Sequence, residues 1–456
     1  MAVDLIVRNG TIVTPEESRR AHVLVADGRI LDVVSGGDLP AAAEVIDAAG
    51  LHVLPGLIDP HVHFRTPGLE YKEDFETGSR AAAAGGITTV IDMPNVVPPT
   101  WSVEALETKL AHIRGRAYVD YALYAVIVEG NLDQIRPLAA AGVCGYKIFL
   151  GETTGNIPAP SDGEVLDAWR ILSETGLRCG VHAEDNGIVL YRRAQLQAEG
   201  RTDPLAHVES RPPIAEAEAV ARTILFAREA RSRLMIFHTS AAPSVDLIRR
   251  GKADGVEVMA ETCPQYLLLE AEDMVRRGLG TIMKANPPIR SREHQEALWR
   301  GLADGTIDVI GTDHAPHTAE EKMAAAPMGD IWKAAAGCPG VETSVPLMLT
   351  EVNAGRLSLN RYVELQAEGP ARAWNLWPRK GRLARGADAD LTIVDLKAEG
   401  TIDAARLHSK SRATPFAGAR VTGVPVYTIV RGRVVMRRGE LAEHAPGEFV
   451  RPEAAG

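Results

Sequence analysis

The chain has 456 residues, 45% of them hydrophobic and 24% charged, with a formal net charge of -10. That length supports a large single-core domain with an appendage, and the composition is that of an ordinary globular protein. The acidic balance and the lack of any Lys/Arg-rich run argue against a nucleic-acid partner, and no apolar stretch is long enough to span a bilayer. The opening MAVDLIVRNGTIV lacks the charged-then-apolar layout of a secretory signal, and Cys144, Cys179, Cys263 and Cys338 form no CxxC pair. The expectation is a reduced, cytoplasmic protein whose thiols are mostly packing residues.

The first fifty residues read as short strands joined by turns: DLIVRNGTIVTP, AHVLVADGRILDVV and AEVIDAAGLHVLPG. From Gly56 the pattern changes to apolar strands alternating with amphipathic helices, the signature of βα units on a parallel sheet. The predicted strands are LIDPHVHF, TTVIDMP, YVDYALYAVI, GYKIFL, RCGVHAE, LMIFHTS, VEVMAETCP and DVIGTDH. Helices fit between most of them, for example DGEVLDAWRILSETG and IAEAEAVARTILFAREA. Eight such strands over roughly 250 residues is the size of a (β/α)8 barrel. Strand texture returns in DADLTIVDL and PVYTIVRGRVVMRRGEL. Neither end has enough apolar surface to stand alone, so the two are expected to fold together. The expected division is 1–54 and 381–456 as the two parts of a small β-sandwich, around a barrel spanning 55–380.

The run GLIDPHVHFRTPG, beginning at Gly56, sets His61, His63 and Arg65 at alternate positions. Residues two apart on a strand share a face. Two imidazoles on one face suit a metal, and a fixed positive charge beside them suits an anionic ligand; the competing reading is a polar strand end with solvated histidines. In a barrel the carboxyl ends of the strands converge on one face. His61 and His63 from the first strand, Lys147 from the fourth, His182 from the fifth, His238 from the sixth and Asp313 from the eighth would then meet. A single histidine at a strand end is more often structural, but five strand ends in agreement are hard to obtain by chance.

Lys147 lies in GYKIFLG, where its neighbours make burial unavoidable. Desolvation lowers a lysine's pKa and leaves a neutral amine that reacts with carbon dioxide. The carbamate so formed has two oxygens and can bridge two metals. A lysine snorkelling to a carboxylate is the alternative, and the four histidines favour the carbamate. Imidazole and carboxylate-type donors suit zinc, with manganese or cobalt as substitutes. His61, His63 and Asp313 would hold one divalent ion, His182 and His238 the other, with Lys147 between. Asp313 would also carry the proton from the attacking water to a leaving nitrogen, so the expected chemistry is metal-assisted hydrolysis.

As a set, DLIVRNGTIV, GLIDPHVHF, GYKIFLG, VHAED, FHTS, GTDHAPH and GADADLTIVDL resemble the cyclic amidohydrolases of the amidohydrolase superfamily. These are the dihydroorotases, the hydantoinases (dihydropyrimidinases) and the allantoinases. The resemblance covers nearly the whole chain. It implies a distorted (β/α)8 barrel, a β-sandwich built from both termini, and two divalent ions with Lys147 carboxylated between them. It also implies a small cyclic amide as substrate and a homodimer or homotetramer. HVHFRTPG, DMPNVVPPT and TDHAPHTAEEK are similar to the dihydroorotase form, which implies that Arg65, Asn95 and His317 hold a substrate carboxylate. A guanidinium is suited to that task because it clamps carboxylates with charge-assisted hydrogen bonds. NPPIR, with Asn286, and GVETSVPLMLT lean the same way.

The implied reaction is the reversible hydrolysis of dihydroorotate to N-carbamoyl-aspartate in pyrimidine biosynthesis. A partner enzyme of that pathway, such as aspartate carbamoyltransferase, stays open. Other features point to allantoinase or hydantoinase activity. AETCPQYLLLE looks more like a hydantoinase, VESRPPIAEAEAV fits several subfamilies, and many bacterial dihydroorotases of this length lack the bridging lysine. The tyrosine that hydantoinases carry after the lysine segment has no match, since KIFLGETTGN puts Glu152 there. Some relatives are non-catalytic assembly proteins that have lost the metal ligands, and the presence of all six here argues against that class. His314 is expected to make a supporting hydrogen bond rather than touch metal, and Cys263 to be a packed thiol. Residues 318–340 read equally as a mobile lid or as an ordinary surface excursion.

Overall fold

The computed structural model describes residues 3–151 and 157–453. Eight parallel strands follow one another in chain order: β6 (Leu57–Val62), β7 (Ile87–Asp92), β8 (Asp120–Val126), β9 (Gly145–Phe149), β10 (Arg178–His182), β11 (Leu234–Ile236), β12 (Val258–Thr262) and β13 (Val309–Ile310). A parallel bridge between Val62 and His314 brings the last strand back to the first, so the sheet is a nearly closed barrel. Strands β6 to β10 are buried at every position. A parallel sheet with helices outside and side chains inside requires this, and it explains their unbroken apolar runs. Between them the helices Asp162–Thr175 and Pro213–Ala230 form as their 3.6-residue patterns predict, the first opened by a capping box between Ser161 and Glu164.

The barrel interior is plugged by aromatic rings. Phe237 stacks on Trp374 at 5.5 Å, and Tyr124 meets the same indole edge-on at 4.6 Å. The ring of Phe237 has room only because residue 180 is glycine: a Cβ there would stand 1.8 Å from it. This packing matters for the site, since Phe237 becomes the surface on which Lys147 rests.

Two sequence expectations need correction. β11 and β13 are shorter than predicted and end before His238 and Asp313, which take left-handed φ values of 37° and 47°. Strand alternation also fails to reach Arg65, because β6 stops at Val62 and Arg65 itself has φ 60°. Non-glycine residues in this region are uncommon and cost of order 1–3 kcal/mol each. Three of them are candidate site residues, re-aimed by the backbone after the sheet has ended.

The remaining strands make a separate, mainly antiparallel sheet of nine. β1 (Val3–Val13), β2 (Ser18–Ala26), β3 (Arg29–Val34), β4 (Ala42–Asp47) and β5 (His52–Pro55) come from the first part of the chain. β14 (Leu391–Thr401), β15 (Arg420–Val430), β16 (Arg433–Arg437) and β17 (Glu440–Leu441) come from the last. The two ends join where β14 pairs with β5 in register Leu391 to Pro55. They bury one shared core that includes Leu5, Val23, Val53, Leu391 and Ile429. Below the barrel, the buried Lys380 ammonium lies 2.5, 3.0 and 2.6 Å from Asp120, Asp388 and Asp390. That cation accounts for an acidic triad otherwise shaped like a metal site, and it ties the start of β8 to the entry of β14. Among the described residues, no helix is long and apolar enough to cross a membrane.

Candidate metal centre

At the carboxyl ends of the barrel strands, Asp313 Oδ1 lies 3.2 Å from His61 Nε2 and 3.0 Å from His63 Nε2. Beside them His182 Nδ1 and His238 Nε2 face each other at 3.1 Å, and the rings of His61 and His238 are 5.2 Å apart. The four histidines and Asp313 share one cavity wall with Arg65, Asn95 and Asn286. Lys147 sits in the middle of β9, fully buried, its Nζ without a hydrogen-bond partner and 4.0 Å from the Phe237 ring centre. Five strands, through residues within them or just beyond their ends, thus bring the expected residues together.

The electrostatics favour cations there. Burial holds His61, His63 and His238 below the ordinary imidazole value, which keeps them in the neutral form that binds metal. Burial also brings Lys147 down to about 8, against the pull of Asp313 and Glu261. For Asp313, burial would raise the pKa, but His61 and His63 outweigh it and hold the carboxylate at about 2.

Each of three histidines is oriented from behind. His61 Nδ1 lies 2.7 Å from Glu261 Oε1, His63 Nδ1 lies 2.7 Å from Asn95 Oδ1, and His182 Nε2 lies 2.9 Å from Glu184 Oε2. Glu184 is in turn paired with the buried Arg211. Fixing one ring nitrogen in this way sets the tautomer and aims the other. Sequence reasoning missed Glu184 and Glu261. The signal was present in VHAED, where Glu184 follows His182 by two residues, and in AETCP, where Glu261 interrupts an apolar strand. Asn95, expected only as a substrate contact, has its carbonyl engaged by His63.

On the substrate side, the Arg65 guanidinium is 1% exposed, donates through Nε to Pro316 O at 3.3 Å, and leaves Nη1 without a partner. Asn286 Oδ1 is likewise buried and unpartnered. His317 stands behind Arg65 rather than in the cavity wall. Its Nε2 lies 3.0 Å from Ala336 O and 3.5 Å from Arg65 Nη2, and its Nδ1 is 3.3 Å from Lys72 Nζ. His314 accepts main-chain N–H bonds at Nδ1 from Gly340 and Val341, with Nε2 turned towards Glu73. Cys263 is buried, and burial pushes its thiol well up. The segment 318–340 packs into the rim, with Ala336 and Gly337 in the cavity wall and Lys322 Nζ bonded to the carbonyls of Lys284 and Ala335. Glu152 lies outside the described residues.

These residues fit divalent cations. Four imidazoles and the Asp313 carboxylate line one cavity, and the buried polar atoms Lys147 Nζ, His238 Nδ1 and Glu261 Oε2 beside them have no hydrogen-bond partner. Unsatisfied buried groups of this kind need an ion or another partner to account for them.

The family model described as "Amidohydrolase family" matches residues 52–435. A solved L-hydantoinase (dihydropyrimidinase) from Arthrobacter aurescens is 40% identical, superposes with a TM-score of 0.95, and is matched over 98% of this chain and 100% of its own. An allantoinase from Rubrobacter xylanophilus is 40% identical over 99% of this chain and 98% of its own. A dihydroorotase from Methanothermobacter thermautotrophicus is 39% identical over 95% of both chains. With its ligand-rich barrel mouth and this full-length similarity, the chain belongs to the amidohydrolase family and is a cyclic amidohydrolase.

Proposed function

We propose that the cyclic amide is dihydroorotate, hydrolysed reversibly to N-carbamoyl-aspartate. One observation carries this reading: a fully buried guanidinium, Arg65, borders the cavity with an N–H that has no acceptor. A buried charge with an open donor calls for an anionic partner, and dihydroorotate carries a carboxylate beside its ring amide.

The reading includes two divalent ions, zinc first among candidates, held by His61, His63 and Asp313 on one side and His182 and His238 on the other. Lys147, carboxylated by carbon dioxide, would be a ligand to both. In forming the carbamate, the neutral amine attacks the carbon of carbon dioxide, an N–C bond forms and the nitrogen releases a proton. When bound, the ions supply an activated water and polarise the scissile carbonyl. The chain's own residues do the rest. Asp313 takes the water's proton and returns it to the leaving ring nitrogen. Arg65 clamps the carboxylate, His317 backs the guanidinium, Asn95 borders the same wall while steadying His63, and Asn286 Oδ1 is an acceptor for a ring N–H.

Hydantoinase or allantoinase activity is the second reading. It is supported by relatives of those names that are as similar to the chain as the dihydroorotase is. Parallel assays of the zinc-loaded protein on dihydroorotate, dihydrouracil, hydantoin and allantoin decide between them. The first reading expects dihydroorotate to have the highest kcat/KM, and a higher value for any other substrate overturns it.

A further inference from the structure

Glu261 has a place in the metal centre that differs from the other groups supporting the histidines. His63 is steadied by the neutral amide of Asn95, and Glu184, which steadies His182, has its charge offset by Arg211. Glu261 is 0% exposed, and among the described residues its only ion-pair contact is His61. Its Oε1 lies 2.7 Å from His61 Nδ1 and also accepts the main-chain N–H of His238 at 3.2 Å, while Oε2 has no partner. One oxygen therefore ties a residue of β6 to the second residue after β11. The fold also makes room for this carboxylate: a Cβ at Gly311 would stand 2.5 Å from Oε2.

A buried carboxyl group is costly to ionise unless positive charge stands near it. Lys147 is the neighbouring cation by charge, yet it is the amine whose carboxylation would turn it into an anion. A divalent ion beside His61 would supply such a charge. We infer that Glu261 is a positioning residue of the metal centre, holding the Nδ1 proton of His61 so that Nε2 presents its lone pair to the ion shared with His63 and Asp313. The inference rests on the metal-centre reading proposed above.

The test is chelator competition on zinc-loaded wild type, Glu261→Gln and Glu261→Ala, counting ions retained per chain. Wild type should hold two. In Glu261→Ala one ion should leave with an affinity lowered about 10- to 100-fold, the range for losing such a supporting group, while the other is retained as in wild type. Glu261→Gln has nearly the same shape and should fall between the two, because its amide oxygen still accepts the Nδ1 proton but brings no charge. Two ions held by Glu261→Ala at wild-type affinity would overturn the inference, as would both ions weakening equally. Should Glu261→Ala fail to fold, wild-type affinity in Glu261→Gln overturns it just as well. A wild-type protein that binds no divalent ion would sink the metal-centre reading itself, which is a distinguishable result.

Discussion

Arg65→Met tests the assignment of the substrate most directly. Methionine keeps much of the length of the side chain and leaves no charge in a position that is 1% exposed, so the substitution removes the clamp without creating a buried unpaired ion. Of the guanidinium's groups, Nε already serves Pro316 O, and Nη1 is the donor left without a partner. One hydrogen bond to a charged group is worth about 1.5–3 kcal/mol. The expected loss is therefore about 10- to 150-fold in kcat/KM for dihydroorotate. Dihydrouracil has the same ring without the carboxylate, and its turnover should change by less than about 3-fold, so the gap between the two narrows. Both rates should be measured on the same preparation, with metal content checked. An equal loss on both substrates would show that Arg65 shapes the site without reading a carboxylate.

Lys147→Ala should lose bound metal together with activity, and added short carboxylic acids should restore part of both; full metal content at a normal rate would refute the bridging role. Asp313→Asn should lower kcat by about 10²–10⁴-fold, the range for removing a general acid–base group, and the result counts only where metal analysis finds both ions still bound. Burial opposes ionisation of Glu184, but Arg211 and His182 outweigh it and bring its carboxyl from 4.5 to about 2. Its contribution to stability is therefore present above pH 4.5 and lost as the pH falls towards about 2. Arg211→Met should move the acid-unfolding midpoint of the metal-free protein to higher pH, and an unmoved midpoint would show that Arg211 is not what holds Glu184 ionised.

Much of the barrel was legible because its strands are buried on both faces. Burial at every position of β7 to β10 leaves runs such as ITTVID and DYALYAV, which stand out between amphipathic helices. The helix limits were equally readable where a cap is local, as with Ser161 and Glu164. The ends of β11 and β13 were not. Nothing in FHTS or GTDH announces that the chain leaves the sheet before His238 and Asp313 and takes left-handed φ values there.

The site divides in the same way. Which residue types carry the chemistry could be read in sequence, because histidines, a lysine and an aspartate at apolar strand ends have no cheap structural reason to be there. The chain alone therefore determined the architecture and the set of candidate ligands. Tertiary structure decided what stands behind them. Glu261 is 200 positions from His61, and Asn95 is 32 from His63, so neither hydrogen bond has any local signature. The same holds for His317, whose place behind Arg65 depends on Ala336 and Lys72 arriving from separate loops. Strand order and burial follow from patterns a few residues long, whereas the orientation of a buried ring is fixed by partners that only the closed barrel brings within hydrogen-bonding distance.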